Sequence, residues 1–515
     1  MLDSSGQRKL GSLISYLQMG VGIIVSLLYT PFMIRALGQS EYGLYNTVAS
    51  TISMLSVLSL GFNSGYIRFY SRYKEKDDKQ SIYKLNGLFL LIFTVIGIVA
   101  LLCGLFLMNH LDLIFKDGLT AAEYPTARIL MLLLTINLAL SFPMSVFSNI
   151  ISANERFVVL KLIGVLKTIG GPLVTLPLLL NGYRSIAVVS VTLLLSLFAD
   201  ILYVFYTFTA LKQKFLFHGY EKHIFFNIFA YTGFIAINMI VDQINWNIDK
   251  IILTRYRGTT AVAVYSVGYT LYTYYQMLST AISGVFTPMI HRMVEQTKDD
   301  PEKQRSTLTG LFTRVGRIQL YILVLVSSGL LFFGKPFIRF WAGDGYDDAY
   351  IVVLLLTISA IVPLCQNVAL EIQRAMNKHR FRSFSYLIMA IINLISSIIL
   401  SKRFGVIGAT IGTAASLIIA NGFIMNTYYQ LHCNLDVLYF WKNALRVIVG
   451  VLPAMLVGAA IQHFVRFSGM LQMVPWVCLY SAAYAVSAWF LSMNDYEKQL
   501  VKRPFKRIAK RRGDA

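Results

Sequence analysis

The sequence predicts an all-α polytopic membrane protein of about fourteen spans, built as two related six-span halves followed by an extra helix pair. Three observations carry this expectation. The 515 residues are 56% hydrophobic and only 14% charged, too apolar for a soluble chain of this length. Apolar runs of membrane-crossing length recur from end to end. An offset of 220 residues (255 − 35) brings the two halves into register.

A hydrocarbon core of roughly 30 Å needs about 20 mostly apolar residues per helical crossing. Such runs fall near 11–34, 44–67, 85–108, 127–151, 160–180 and 185–211. The second six fall near 224–253, 261–290, 311–333, 348–371, 383–401 and 405–430, and a last pair near 443–464 and 472–493. The expected organisation is therefore an N-lobe over 1–216, a C-lobe over 217–435, a helix pair over 436–497 and a basic tail over 498–515. The first run is too long for a signal-peptide core and no small-residue cleavage site follows it, so it is expected to remain in the mature chain. The longest polar stretches, 68–84 and 291–310, have room for a surface helix at most. Enzyme chemistry would have to fit inside the membrane part, and none is expected.

The net charge of +21 raises nucleic acid as a partner, and the placement of the charges argues against it. With both termini on the cytoplasmic side, most of the 46 Lys and Arg fall inside, as the positive-inside rule requires. Dense inner clusters are Arg68, Arg72, Lys74, Lys76, Lys79 and Lys84, the stretch from Arg292 to Arg317, and the tail from Lys502. Anionic membrane lipid accounts for them. Cys103, Cys365, Cys433 and Cys478 are far apart, with neither a CxxC nor a Cys/His spacing, so no disulfide framework or metal site is expected.

The repeat rests on several matches in a common order. Arg35, Gly38 and Tyr45 fall on Arg255, Gly258 and Tyr265, giving Arg-x2-Gly-x6-Tyr in the short outer hairpin between the first and second span of each half. Pro143 falls on Pro363, the Asn154 to Phe157 turn resembles Asn377 to Phe381, and Asp200 falls on Asn421 at an offset of 221 (421 − 200). Six is an even number, so both halves enter the bilayer with the same orientation, related by a pseudo-twofold along its normal. Two lobes rocking about a cavity between them are a common transporter plan.

The hairpin run Arg35-Ala-Leu-Gly-Gln-Ser-Glu-Tyr-Gly-Leu-Tyr45 resembles the first-hairpin signature of bacterial polysaccharide repeat-unit (Wzx-type) flippases of the multidrug/oligosaccharidyl-lipid/polysaccharide (MOP) exporter superfamily. Asp249-Lys-Ile-Ile-Leu253, continued by Gly258 and Val264 to Tyr269, is similar to their seventh-span signature. The resemblance covers essentially the whole chain. It implies a multi-pass protein of the bacterial cytoplasmic membrane that moves undecaprenyl-pyrophosphate-linked oligosaccharide from the inner to the outer leaflet by alternating access. It implies further a monomer, polysaccharide polymerase and assembly proteins as partners, no cofactor, and Na+ or H+ coupling as in some relatives. The final pair would border a groove for the lipid tail. Two departures stand out. Residues 11–34 lack the acidic residue of multidrug exporters, and the first, second and eighth spans lack the interior arginines of lipid II flippases. A cation-coupled drug exporter and a membrane glycan ligase or polymerase are the alternatives, the latter opposed by short outer loops.

Moving a pyrophosphate through hydrocarbon calls for cations in a polar cavity. The candidates are Arg35, Arg68, Lys167, Lys250 and Arg255, with snorkelling to the headgroup layer as the other reading. Acidic residues within spans are costly unless they face a partner or water. Asp242 and Asp249, two helical turns apart, share one face of the seventh span with Asn238 and Asn245. Asp242, the nearer to mid-span, is the first choice for a cation or proton site, with Asn238 and Asp249 beside it and Asn245 as a substrate contact. Tyr269 and Tyr272 of the eighth span could stack on sugar rings, or belong to an interfacial aromatic belt.

Overall fold

The computed structural model describes residues 4–219, 222–378 and 380–502, and among them every regular element is a helix. The basic tail beyond Lys502 lies outside the described residues. The helices are α1 (Ser4–Met54), α2 (Phe62–Glu75), α3 (Lys79–Asn109), α4 (Leu111–Phe115), α5 (Glu123–Ala153), α6 (Phe157–Leu180) and α7 (Ser185–Thr209). They continue as α8 (Lys222–Arg257), α9 (Thr259–Gly284), α10 (Thr287–Gln296), α11 (Pro301–Ala342), α12 (Asp347–Cys365) and α13 (Asn367–Ala375). The last are α14 (Arg380–Ile418), α15 (Asn426–His432), α16 (Val437–Phe464) and α17 (Met470–Ser487).

Ten stretches are long and apolar enough to cross a membrane. Two of them, Ile14–Glu75 and Arg380–His432, hold 62 and 53 residues. At about 1.5 Å per residue each would extend far beyond one bilayer if straight. Each folds back at a glycine in the left-handed region, Gly38 (φ 75°) and Gly405 (φ 59°), so each makes two crossings. The more polar α8 and α9, of 36 and 26 residues, are also of crossing length, which brings the count to fourteen. The outer surface is that of a protein dissolved in lipid: Leu102, Leu173, Leu194, Ile201, Phe205, Leu456 and Phe490 are all exposed.

Local sequence sets the helix ends. Asp78, Asp300 and Asp436 accept hydrogen bonds from the amides of Ser81, Lys303 and Tyr439, capping α3, α11 and α16. Pro301 occupies the first turn of α11, where its missing N–H costs nothing. The structure departs from uninterrupted spans in the second crossing of each half. The expected 44–67 run breaks at a 3₁₀ turn, Leu55–Ser59, followed by Leu60 and Gly61 in the left-handed region. A Cβ on Gly61 would lie 2.5 Å from Ile235 Cγ2 of α8, so close packing there excludes any larger residue. The expected 261–290 run ends α9 at Gly284 and resumes as α10, with Pro288 in its first turn. The expected 348–371 run is likewise divided at Gln366, just after Pro363, between α12 and α13.

The chain forms two compact units, Met1–Ser266 with Tyr386–Gly412, and Val267–Ser385 with Thr413–Ala515. In the first, α5 packs between α3 and α7 and α1 lies along α6. One of its aromatic clusters joins Phe62, Tyr66, Phe89 and Phe93, with Tyr66 and Phe89 edge to face at 5.0 Å. In the second, α11 is the central post, against which α12 and α16 pack. Arg317 of α11 donates from Nε and Nη2 to the two oxygens of Glu497 at 2.6 and 2.9 Å, and to the carbonyls of Asn443 and Ser492. Both side chains of this pair are 4% exposed. The final helix pair is thereby fixed to the second unit by a buried, fully hydrogen-bonded charge pair.

Candidate functional site

The polar face of α8 lies in the first unit. Asn245 Oδ1 accepts from Asn393 Nδ2 at 3.3 Å, and Ser397 donates to Asn393 Oδ1 at the same distance. Gln243 donates to Ser56 Oγ at 3.0 Å and accepts from Asn247 at 2.6 Å. Neutral hydrogen-bonding groups thus run along α8 among the expected acids. Asn238 is half-buried and Asp242 is exposed. Asp249 is completely buried, because Tyr265 folds back across the α8–α9 hairpin and donates its hydroxyl to Oδ2 at 3.0 Å. Lys250 beside it is buried too.

The candidate cations have different surroundings. Arg35 and Arg68 are exposed. Arg255 donates to the carbonyls of Leu113 and Ile114 at 3.0 and 3.1 Å, closing the end of α4. Its neighbour Arg257 donates to the carbonyls of Ser401, Lys402 and Arg403, holding the bend at Gly405. Lys167 of α6 donates to Ser196 of α7 at 3.2 Å and lies within the electrostatic reach of Asp200, one turn along. The two tyrosines belong to the second unit. Tyr269 is half-buried and its ring lies 6.0 Å from that of Tyr272, which is 1% exposed and accepts from Gln276 Nε2 at 2.8 Å.

The structure also reveals a constellation at the hairpins that follow the first and seventh spans, wholly within the first unit, that sequence reasoning missed. Gly43, in the first-hairpin run, meets Thr259 at the start of α9 so closely that a Cβ would lie 1.8 Å from the Thr259 carbonyl oxygen. One turn further, the hydroxyls of Thr47 and Thr254 are 2.7 Å apart and buried. Gly118, in the connection before α5, would place a Cβ 2.0 Å from the Thr254 carbonyl oxygen. Two carboxylates fasten this seam. Glu41 accepts from the Ser185 amide and hydroxyl at 2.8 and 2.6 Å and pairs with Arg184 at 3.1 Å, so it caps α7 from α1. Glu123 accepts from Ser40, Thr259 and Thr120. Ser40, Glu41 and Gly43 stand inside the hairpin run, and that was the available signal. Glu123 carried none, because its partners are remote in sequence.

A helical membrane fold with a repeated hairpin, broken second spans and polar residues along a crossing helix defines a polytopic membrane protein. Residues 10–294 match the polysaccharide biosynthesis protein family, and the chain belongs to that family. It is 20% identical over 493 residues to the uncharacterized membrane protein EpsK of Bacillus subtilis (strain 168), covering 95% of this chain and 96% of that one. Its fold is that of the MOP superfamily. It matches the lipid II flippase MurJ in an inward closed conformation with a TM-score of 0.70 and 15% identity, over 93% of this chain and 98% of that one. It matches a multidrug resistance MATE family transporter in an inward-facing conformation with a TM-score of 0.61 and 12% identity, over 79% of this chain and 99% of that one.

Proposed function

We propose that this protein is a flippase that carries undecaprenyl-pyrophosphate-linked oligosaccharide repeat units from the inner to the outer leaflet of the bacterial cytoplasmic membrane. Membership of the polysaccharide biosynthesis family supports this reading, in a chain whose fold likeness to a lipid II flippase takes in 93% of its length. Transport proceeds by alternating access of the two six-span halves, with both termini cytoplasmic and the chain acting as a monomer and not as an enzyme. The pyrophosphate is met by Arg35, Arg68 and Lys167, which are exposed, and by Lys250 and Arg255, which are buried and half-buried. Asn245 and the Tyr269–Tyr272 pair contact sugars. Asp242, exposed on α8, takes Na+ or H+ with Asn238 and Asp249 as neighbours. The product passes to a polysaccharide polymerase and its assembly proteins.

The test is deletion of the chromosomal copy, followed by mass spectrometry of lipid-linked oligosaccharides and assay of surface glycan. Inner-leaflet repeat units accumulate and surface polysaccharide falls. Unchanged lipid and unchanged surface glycan would overturn the reading.

A further inference from the structure

One carboxylate fastens the hairpins of both repeats to the N-terminus of α5. Glu123 Oε1 accepts from the Ser40 hydroxyl of the first hairpin at 2.5 Å and from the Thr259 hydroxyl at the turn of the second at 2.6 Å. Its Oε2 accepts from the Thr120 amide at 2.8 Å and the Thr120 hydroxyl at 2.9 Å. Four donors on two oxygens fill the lone-pair capacity of an ionised carboxylate. A carboxylic acid has an O–H in place of one acceptor position. The Thr120 amide can only donate, so on protonation a hairpin hydroxyl must turn from donor to acceptor, and the hairpin contacts fall from charge-assisted to neutral hydrogen bonds.

The carboxylate is also within reach of water. Glu123 lines a cavity of about 380 Å³ together with Leu37, Gln39, Glu41, Thr126 and Arg184. The other charges on the elements around it are largely committed. Glu41 of α1 and Arg184 before α7 pair with each other, and Arg255 and Arg257 of α8 hold carbonyls of α4 and of the 401–403 bend. Arg35 of α1, Asp112 of α4, Lys116 and Asp117 before α5, and Tyr124 and Arg128 of α5 are further ionisable side chains on these elements.

We propose that Glu123 is a proton-operated latch on the outer hairpins. Ionised, it ties the first hairpin to the second. On taking a proton from a hydronium ion in the cavity, which leaves water behind, it holds Ser40 and Thr259 only by weaker neutral hydrogen bonds and the seam from Gly43 to Thr254 loosens. The inference rests on the flippase reading for which face is outer, and it places a proton site at the seam, apart from the α8 acids. Two features make a latch of this carboxylate and a plain cap of Glu41. Glu123 alone of the two bonds to both repeats, and the seam it closes has no side chain between the backbones at Gly43.

Spin labels at Ala36→Cys and Thr260→Cys, both exposed positions flanking the seam, report its width by pulsed electron resonance in a background free of native cysteines. Four donors favour the ionised form and hold the Glu123 carboxyl below the ordinary glutamate range, so the measurement is made at about pH 7 and about pH 3, on either side of that range, and the distance distribution of the parent protein shifts to longer values in acid. Glu123→Gln gives the long distribution at both pH values, Glu123→Asp keeps the pH response, and Glu41→Gln keeps it as well. Should Glu123→Gln fail to accumulate, Ser40→Ala with Thr259→Ala removes the same two contacts and gives the long distribution at both pH values. A parent distribution that ignores pH, or a Glu123→Gln protein that responds like the parent, overturns the latch. These spectra need no substrate, so their failure leaves the flippase reading standing, and the lipid accumulation assay tests that reading alone.

Discussion

Gly43 and Thr259 meet backbone against backbone, with 1.8 Å between the position a Cβ would take and the Thr259 carbonyl oxygen. Residue 43 stands in the hairpin of the first repeat and residue 259 at the hairpin of the second, so the contact joins two segments more than two hundred residues apart through the absence of a side chain. Gly43 is helical and has no left-handed backbone to accommodate, so close approach alone requires glycine there.

Gly43→Ala is therefore expected to push the hairpins apart or to destabilise the first unit, by about 1–3 kcal/mol or more as overpacked sites do. Thermal unfolding in detergent checks the stability, and the spin-label pair checks the separation. Parental melting together with a parental distance distribution would falsify the argument.

The buried pair Arg317 and Glu497 anchors the final helices to α11, and each partner leaves a charge without compensation if the other is removed. Arg317→Ala or Glu497→Ala is expected to cost about 3–5 kcal/mol. The double variant Arg317→Met with Glu497→Leu is expected to be closer to the parent than either single change. Melting temperatures of the four proteins decide this, and a double variant less stable than either single variant would contradict it.

Asp242→Asn is expected to abolish gradient-driven transport while the protein folds and inserts normally, since an amide of the same shape cannot carry the charge that attracts Na+ or H+. Transport in proteoliposomes under an imposed Na+ or pH gradient is the measurement. The pH response of the outer hairpins should persist in this variant. Normal surface-polysaccharide export by a normally expressed mutant would sink the assignment.

Arg257 donates to three consecutive main-chain carbonyls at 401–403, next to the left-handed Gly405. Arg257→Ala leaves those acceptors without their charged donor and is expected to destabilise the bend by about 1–3 kcal/mol. Hydrogen exchange across 398–408 should rise locally in this variant. Unchanged protection there would show that the bend holds without the arginine.

The sequence by itself determined the all-helical membrane fold and its crossings, about fourteen in number, because apolar runs are properties of the linear order. It also carried Arg35, Arg255 and the α8 acids as candidates, since a charge within an apolar run is conspicuous wherever the chain goes. It did not yield the breaks at Leu60 and Gly61, which depend on how closely α2 lies on α8 at Ile235. Nor did it give the division between an exposed Asp242 and a buried Asp249, which follows from Tyr265 folding across the hairpin. The tertiary structure alone decided that Ser40, Glu123 and Thr259 converge. Each of the three is an ordinary polar residue near a helix end, and only the close approach of two glycine-bearing backbones brings their hydroxyls within reach of one carboxylate.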